Sequence, residues 1–356
     1  MRLSLFFRLF LILLVLLGLY FTLWPVNIDP VAWNPAPPPS METGDFQRNK
    51  DLASVKMLAT SGKAPEDVAI DAKGMIYGGL LDGRIIRMQA DGSQEEDFAN
   101  TEGRPLGLIF DPQGNLIVGD AFKGLLSINP EGEIEVLAKS HDDREFLFTD
   151  DLDIDEAGII YFTDASEKFT FHDHIDYPLE SGLHGRLLSY NLQNKEIKLL
   201  MDDLAFANGV AVDKSQEFVL VNETMRYRVH RYWLKGPKAG TSEVFLDNLP
   251  GFPDGILQDE KGIFWVALVT PRNKLLDQLA PQPYWRKVLR RIPEALLPSP
   301  EDYGFIIGVD GQGKVIYNLQ APDGEFGQIT NVVSHQGKLY LGSLEEHGIG
   351  VIDRPN

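Results

Sequence analysis

Six residues with possible chemical roles each lie directly before a short apolar, strand-like run. They are Glu66, Leu106, Asp150 or Asp151, Asn208, Asp254 and Thr330. Four of the six positions carry a carboxylate or amide oxygen, the ligand type that Ca²⁺ prefers, whereas Zn²⁺ favours nitrogen or sulfur. An Asp or Asn that precedes a strand often serves only to cap a turn. The pattern therefore becomes a site only if the fold brings these positions together.

The runs that follow these residues belong to a repeated pattern. A short apolar strand, a turn with Asp or Gly and a second apolar strand recur six times at spacings of about 40 to 75 residues, as in VAIDAKGMIYGG and LDIDEAGIIYFTD. A third strand follows most copies. The copies begin at Val68, Leu108, Leu152, Val210, Ile256 and Val332. Such repetition is typical of an all-β, six-bladed β-propeller.

In a propeller, the first strand of each blade lines a central channel, so the six residues form a ring at its mouth. Several carboxylates packed there without a cation would repel one another and lose hydration. This arrangement favours a Ca²⁺ site. Ring closure requires the last blade to take a strand from the start of the domain, and residues 54–60 (SVKMLAT) are the expected donor.

The N-terminal segment precedes this domain. Arg2 and Arg8 stand before an apolar stretch that ends near Trp24, without a small-residue cleavage site, which favours an uncleaved transmembrane anchor over residues 1–26 rather than a cleaved signal peptide. The two arginines predict a single-pass type II protein with an extracytoplasmic propeller. Residues 27–50 are Pro-rich and predict a semi-rigid linker to the domain at 51–356.

Two insertions interrupt the repeats. Residues 167–184 contain His172, His174 and His184, which either cover the site or lie on an exposed loop. Residues 271–303 predict a small helical insertion in blade 5, whose basic stripe lies beside aromatic side chains. That insertion is expected to be a surface helix pair, a lid, or a contact with anionic lipid.

Composition narrows the classes of function. The 356 residues include 33 Lys and Arg against 52 Asp and Glu, a net charge of −19. This balance argues against nucleic acid as a partner. The absence of Cys excludes disulfides, thiolate metal sites and a Cys nucleophile.

Several longer motifs carry a family resemblance. The stretches GRPLGLIF, FLFTDDLDID, FANGVAV, RYWLKGPKAGTSEVF and NLPGFPDGI resemble the strictosidine-synthase-like branch of the gluconolactonase and paraoxonase superfamily of six-bladed propellers, over roughly residues 50–353. The resemblance implies Ca²⁺ as cofactor. Its ligands, carried over by motif, are Glu66, Asp150, Asn208 and Asp254. The branch usually has Asn at position 150, and Asp151 is the competing ligand.

The sequence also departs from its relatives. The Glu that the resemblance associates with strictosidine-type condensation aligns with Gly327, or with Glu325 after a shift of two residues, which disfavours that reaction. The His pair of paraoxonases is replaced by Leu106 and the region of Asp120. A lactonase mechanism based on a His dyad is therefore not supported.

These observations predict a calcium-dependent hydrolase of carboxylic ester or lactone bonds, with a small-molecule substrate. Asp254 is the first choice as proton acceptor or nucleophile and Asp151 the second. The substrate pocket is expected to include Asp120, Asp164, Glu223, Leu106 and Thr330. The alternatives are a non-catalytic, ion-containing binding or scaffold module and, least favoured, a strictosidine-synthase-type condensation.

Overall fold

The structure is a computed structural model that describes residues 5–297 and 299–355. Its main body is a β-propeller of six four-stranded antiparallel sheets. Blade 1 contains Val68–Ile70, Ile76–Gly79, Arg84–Met88 and Glu96–Asn100. Blade 2 contains Pro105–Phe110, Leu116–Asp120, Gly124–Ile128 and Ile134–Ala138. Blade 3 contains Thr149–Ile154, Ile159–Asp164, Gly185–Asn191 and Ile197–Leu204.

The remaining blades follow in chain order. Blade 4 contains Ala207–Val212, Phe218–Glu223, Arg228–Trp233 and Ser242–Leu246. Blade 5 contains Gly251–Gln258, Phe264–Pro271, Gly304–Val309 and Val315–Ala321. Blade 6 contains Ile329–His335, Lys338–Ser343, Gly348–Asp353 and the early strand Lys56–Ala59. A two-stranded ribbon of Ser140–His141 and Arg144–Glu145 completes the strands in the described ranges. The sequence prediction of six blades is confirmed.

Ring closure is made by the predicted segment. Lys56–Ala59 pairs antiparallel with Gly348–Asp353, from Lys56 opposite Val351 to Ala59 opposite Gly348. The first and last parts of the domain are thereby joined in one sheet, which leaves the ring without an open edge between blades 6 and 1.

The repeated Asp forms the turn between the first two strands of a blade. In blade 1 the Asp71 carboxylate accepts hydrogen bonds from the amides of Lys73 at 2.8 Å and Met75 at 2.9 Å. The same bonding pattern recurs at Asp111, Asp155 and Asp259. Asp is favoured there because its side chain satisfies turn amides. These turns lie at the end of the blades opposite the channel mouth.

The helices are few and most of them lie near the mouth. Helix α1 spans Leu5–Leu23, α2 spans Asp176–Glu180, α3 spans Lys274–Leu279 and α4 spans Pro283–Arg290. Short 3-10 helices span Phe171–Asp173, Thr224–Arg226 and Glu294–Leu296. Helix α1 is long and apolar enough to cross a membrane, by length and composition. The blade 5 insertion is helical, as predicted.

The segment that follows α1 packs against the protein more closely than the semi-rigid linker that the sequence predicts. Ile28 is buried in a hydrophobic cluster with Phe169 and Leu179. The Val31 amide donates to the Glu180 carbonyl at 3.0 Å, and the Trp33 amide donates to the Ala280 carbonyl at 3.2 Å. The Pro-rich segment therefore packs along the inserted helices. Proline content limits its flexibility, but these contacts, which the sequence pattern does not reveal, fix its path.

Candidate active site at the channel mouth

Five of the six ring positions lie at β-bulges, whereas Glu66 precedes the strand Val68–Ile70. Near the ring positions of blades 3 to 6, two consecutive residues of the first strand lack a partner in the second strand, and in blade 2 one residue does. The unpaired positions are 106, 150 and 151, 208 and 209, 254 and 255, and 330 and 331. The sequence analysis placed these residues before the strands, and the structure places them inside. A bulge redirects side chains out of the normal alternation, so the two residues of each pair can serve different purposes.

Three carboxylates meet near the channel axis. Glu66, Asp150 and Asp254 belong to blades 1, 3 and 5, one third of a turn apart around the ring. The pKa of the Asp150 carboxyl is held well above its usual range by burial, and next by the charges of Glu66 and Asp254. Side chains from alternate blades can interact in this way only close to the axis. The three carboxyls therefore influence one another electrically, and their assignment as ligands of one ion stays a prediction.

One cation partly balances this group. The Arg104 side chain is 1% exposed and its guanidinium forms an ion pair with the Glu66 carboxylate. Arg104 also donates to the Ala64 carbonyl at 3.0 Å, which fixes its position. Burial raises the pKa of Glu66, and the charge and hydrogen bond of Arg104 oppose that rise. Three carboxylates thus face a single guanidinium.

The other two carboxylates have different surroundings. No described residue donates a hydrogen bond to the buried Asp150 side chain. Burial raises the pKa of Asp254 well above its usual value, as do the charges of Glu66 and Asp151, while a hydrogen bond from Asn208 opposes the rise. A buried carboxylate without partners has a large desolvation cost, which a bound cation would remove.

The second residue of each bulge holds neighbouring blades together. Asp151 accepts hydrogen bonds from the amide of Leu152 at 2.8 Å and from the amide of Val210, in blade 4, at 3.0 Å. Burial nevertheless raises its pKa to about 7. Since both its oxygens are occupied by backbone donors, Asp151 is a structural link between blades 3 and 4. These contacts weigh against Asp151 as the second catalytic candidate and as the competing metal ligand, and both assignments stay predictions.

Glycine is the second bulge residue in blades 4 and 5, where the neighbouring blade is in close contact. A Cβ on Gly209 would lie 2.3 Å from the Asp254 carbonyl oxygen, and one on Gly255 would lie 2.5 Å from the Thr330 carbonyl oxygen. Any larger residue would push the blades apart. The Asn-Gly pair at 208 and 209 is thus more than a turn signal, because Asn208 faces Asp254 while Gly209 permits close contact with blade 5.

Two further residues that were predicted to line the pocket, Thr330 and Leu106, make structural contacts within the propeller. The Thr330 hydroxyl donates to the Glu66 carbonyl and so joins blade 6 to blade 1. Leu106 is 2% exposed and belongs to the hydrophobic core cluster that includes Phe148 and Ala165. The structure therefore shows a positioning contact for Thr330 and core packing for Leu106.

The acidic residues at the ends of second strands, predicted to line the pocket, are buried and most of their oxygens have partners, although one Asp120 oxygen has none among the described residues. Asp120, Asp164 and Glu223 are all 0% exposed. One oxygen of Asp120 accepts from the amides of residues 104, 122 and 123, and Asp164 pairs with Arg186 at 2.9 Å. Glu223 binds His230 at 2.7 Å and the Arg228 guanidinium. The sequence placed these residues correctly at strand ends but could not show their buried partners.

The mouth is covered by the blade 3 insertion. Tyr177 of α2 stacks on Phe206 with ring centroids 4.3 Å apart. Burial raises the Tyr177 pKa, and the charges of Asp254, Asp150 and Glu66 add to the effect. We name α2 together with α4 the cap. Tyr177 shields the carboxylates from water.

The histidines of this insertion lie elsewhere. His172 is exposed and stacks on Phe122 at 5.0 Å, and the exposed His174 contacts Glu294 at 3.2 Å. His184 is partly buried and binds Glu180 at 2.6 Å. Of the two alternatives, the exposed loop describes His172 and His174, whereas His184 supports the cap.

The basic stripe of the blade 5 insertion is used inside the protein. Arg286 is 1% exposed and donates to the carbonyls of Leu179 and Glu180 in the cap. Arg290 pairs with Asp176 of α2. These contacts favour the lid alternative. They engage both arginine side chains within the protein, so that neither is available to bind anionic lipid.

The donor chemistry fits a hard cation. Within residues 5–297 and 299–355, no three His, Asp or Glu side chains lie at metal-binding spacing. Glu66 is drawn toward Arg104, which leaves Asp150, Asp254 and the Asn208 amide as the free oxygen donors. Three carboxylates and one guanidinium carry a net charge of about −2 when ionised, which matches a divalent ion. The fit therefore rests on donor type and charge.

Position 327 has no room for a catalytic carboxylate. A Cβ on Gly327 would lie 1.8 Å from an Asp302 oxygen. Glu325 is exposed. Neither residue therefore supplies a Glu at the mouth.

Two residues near the carboxylates were missed by the sequence analysis. Arg104 lies in the stretch GRPLGLIF, one of the motifs that carried the family resemblance, and that membership was the available signal. Tyr177 lies in an insertion outside the repeats. No pattern in the sequence indicated that the insertion would fold over the mouth.

The fold and its buried carboxylates define a six-bladed propeller with an acidic centre, and comparison with known proteins gives its family. The strictosidine synthase model matches residues 150–237, and the strictosidine synthase-like, N-terminal model matches residues 44–88. STRICTOSIDINE SYNTHASE-LIKE 10 of Arabidopsis thaliana is 36% identical over 83% of this chain and 86% of its own. The adipocyte plasma membrane-associated protein of Bos taurus is 32% identical over 90% and 82%. The chain belongs to the strictosidine synthase-like family.

Solved structures agree on the architecture. A gluconolactonase from Xanthomonas campestris superposes with a TM-score of 0.63 at 14% identity, covering 92% of this chain and 97% of its own. Regucalcin from Agrobacterium tumefaciens, a calcium-binding protein, superposes with a TM-score of 0.58 at 14% identity, covering 84% and 92%. At such identity the likeness shows the fold alone.

Proposed function

We propose that this protein is a membrane-anchored hydrolase of carboxylic ester or lactone bonds that depends on Ca²⁺. The observation that carries the proposal is the buried group of Glu66, Asp150 and Asp254, in which the charge of Glu66 raises the pKa of both aspartates and Arg104 is the one ion-pair partner among the described residues. Unbalanced, buried carboxylates with perturbed pKa values are typical of functional sites. The names gluconolactonase and regucalcin among its structural neighbours agree with lactone chemistry and with calcium.

The residues have separate roles in this proposal. Asp150, Asn208 and Asp254 would hold the ion, and Glu66 would contribute the oxygen that Arg104 leaves free. The bound ion would supply polarisation of the substrate carbonyl. Asp254 accepts the proton of the attacking water, since its raised pKa makes it a better base than an exposed Asp. Tyr177 excludes bulk water, which strengthens charge interactions inside the site.

The N-terminal helix supports the proposed location. Helix α1 is apolar from Leu9 to Leu19 and has no buried residue, and a relative is named as a plasma membrane-associated protein. Arg2 and Arg8 would keep the N-terminus in the cytoplasm under the positive-inside rule. The protein would then be single-pass type II with an extracytoplasmic propeller.

The test uses the full chain in phosphatidylcholine nanodiscs, because Ile28 and Val31 pack on the cap and a shorter chain would expose it. Phenyl acetate and a panel of lactones are supplied before and after chelation, and Ca²⁺ or Mg²⁺ is then added back. Turnover that is lost with chelator and restored by Ca²⁺ supports the proposal. Unchanged turnover in chelator would refute the metal dependence.

A second candidate is a binding module that carries an ion without catalysis. It is favoured by the fold alone, because a six-bladed propeller can place oxygen donors around its channel without fixing a reaction. That candidate predicts ion binding with no turnover of any ester or lactone in the same experiment.

A further inference from the structure

The end of the apolar helix is joined to the cap side of the propeller. The Tyr20 hydroxyl donates to the Arg291 carbonyl at 3.1 Å, and Arg291 Nε donates to the Trp24 carbonyl at 2.6 Å. A second guanidinium nitrogen of Arg291 donates to the Phe21 carbonyl at 3.2 Å. Arg291, which directly follows α4, thus binds the carbonyls that a helix leaves unpaired at its C-terminus.

From Arg291 a continuous set of contacts reaches the mouth. Helix α4 packs on α2 through the buried Arg286 and through the ion pair of Arg290 with Asp176. Helix α2 carries Tyr177, whose ring stacks at 4.3 Å on Phe206, two residues before Asn208 of the mouth. The anchor, the cap and the site are therefore parts of one packed assembly rather than bodies joined by a loose chain.

The residues after the helix leave little freedom at this joint. Lys287 of α4 pairs with Asp29 at 2.9 Å, and the Asp29 amide donates to the buried Glu180 carboxylate at 2.7 Å. Ile28 is 1% exposed beneath them. With these contacts made within about six residues of the helix end, the mouth cannot turn far from the place where the helix ends.

Exposed apolar side chains surround the same joint. Tyr284 and Trp285 on the first turn of α4 are 49% and 53% exposed, and Leu296 beyond it is 74% exposed. Trp24, at the end of α1, is 60% exposed. Trp and Tyr concentrate at the headgroup level of membranes, where an apolar ring meets a polar surface.

The dimensions agree with shared membrane contact. Trp285 lies six positions before Arg291 in the sequence, which corresponds to about 9 Å along a helix. Each interfacial layer of a bilayer is roughly 5 to 8 Å deep. If α1 ends at the edge of the hydrocarbon, the aromatic residues of α4 lie within reach of the headgroup layer.

We propose that the cap is a membrane-docking surface that holds the mouth of the propeller against the phospholipid bilayer. The site would then draw its substrate from the membrane, so the substrate class is an amphiphilic ester or lactone that partitions into lipid. The docking rests on contacts alone, and only the substrate class rests on the proposed function. Because Lys287 and Arg290 are paired internally and the chain is acidic, docking is expected to need no anionic lipid.

The absence of Cys allows a direct test with single spin labels on the full chain in phosphatidylcholine vesicles. Trp285→Cys and Leu296→Cys place labels on the cap. Lys73→Cys and Gln312→Cys, in exposed turns at the other end of the blades, are the matched controls. Collision rates with oxygen, which concentrates in lipid, and with a water-soluble nickel chelate report the depth of each label.

Labels at 285 and 296 should collide several-fold more with oxygen relative to nickel than labels at 73 and 312, with or without phosphatidylglycerol. Equal, water-like ratios at all four sites would overturn the proposal, as would lipid exposure of the cap labels only when phosphatidylglycerol is present. All these sites are exposed, so the variants are expected to fold. A second copy of the protein covering the cap would shield the labels from both reagents, which also contradicts the proposal.

Turnover separates the substrate class from the docking. A Tyr284→Ser, Trp285→Ser double variant should raise the KM for a long-chain ester in vesicles several-fold and leave a water-soluble short ester unchanged. Val136→Ser with Ile316→Ser, on exposed outer strands, is the control pair. An unchanged KM for the long-chain ester would reject the membrane-borne substrate. If the parent protein turns over neither ester, the proposed function is rejected. The depths of the spin labels would then still decide the docking.

Discussion

The amide of Val210 in blade 4 donates a 3.0 Å hydrogen bond to a carboxylate oxygen of Asp151 in blade 3. Asp150, one residue earlier in the same bulge, is equally buried but receives no hydrogen bond from the described residues. Adjacent aspartates thus serve opposite purposes. One stabilises the seam between two blades, and the other is held at a cost in stability at the mouth of the channel.

This difference predicts opposite effects of the same substitution. Asp151→Ala should lower the free energy of unfolding by about 2–4 kcal/mol, because two buried amides lose their acceptor. Asp150→Ala should leave stability unchanged or slightly raised in chelator, since it removes a like charge, yet it should abolish Ca²⁺ binding. Urea unfolding in chelator, with calorimetric Ca²⁺ titration, measures both. Equal destabilisation by the two variants would contradict the assignment.

Ion binding should be visible without any turnover. A ligand that binds only the folded state at a concentration of 100 Kd stabilises it by about 2.7 kcal/mol, so excess Ca²⁺ should raise the Tm by several degrees. Asp254→Asn and Asn208→Ala should remove this shift, because each deletes an oxygen donor or its charge. Glu156→Gln, in a turn at the other end of blade 3, is the matched control and should keep the full shift. A shift that survives in all variants would place the ion elsewhere.

Asp254 should matter more for rate than for substrate binding. Asp254→Asn removes the proposed proton acceptor, and loss of a general base typically lowers kcat by about 10²–10⁴-fold. Steady-state kinetics on phenyl acetate at saturating Ca²⁺ would measure the effect. The Glu156→Gln protein should retain the parental kcat. If Asp254→Asn retains more than about a tenth of the parental kcat, another group must activate the water.

Glu223 should contribute to acid stability in a defined pH window. Although burial opposes it, hydrogen bonds from His230 and Arg228 lower the pKa of Glu223 from 4.5 to about 2. A carboxyl with a depressed folded-state pKa stabilises the protein above its unfolded pKa. The contribution, roughly 3 kcal/mol, is therefore complete above pH 4.5 and disappears as the pH falls toward 2.

The check is a comparison of unfolding free energy against pH. Glu223→Gln should be less stable than the parent near pH 6, and the difference should shrink as the pH falls from 4.5 toward 2. Glu217→Gln, an exposed position beside the same strand, should match the parent throughout. A difference between Glu223→Gln and the parent that stays constant with pH would show that packing, and not the charge of Glu223, is responsible.

The sequence by itself determined the blades and the closing strand. Alternating apolar residues and Asp turns act locally, over a few bonds, so they can be recognised without the partners of each strand. Lys56–Ala59 and the turn at Asp71 are examples of features predicted at the correct place.

Only the tertiary structure decided which oxygens are available. Asp150 and Asp151 are indistinguishable in sequence, and their roles separate because a bulge turns one to the axis and the other to the backbone of blade 4. Asp164 and Glu223 have partners in Arg186 and His230, which no strand pattern pairs with them. The cap, the packed linker and the joint between α1 and Arg291 likewise depend on contacts between distant parts of the chain. Strand register and packing determine which of these contacts form. The sequence of a single strand does not specify either.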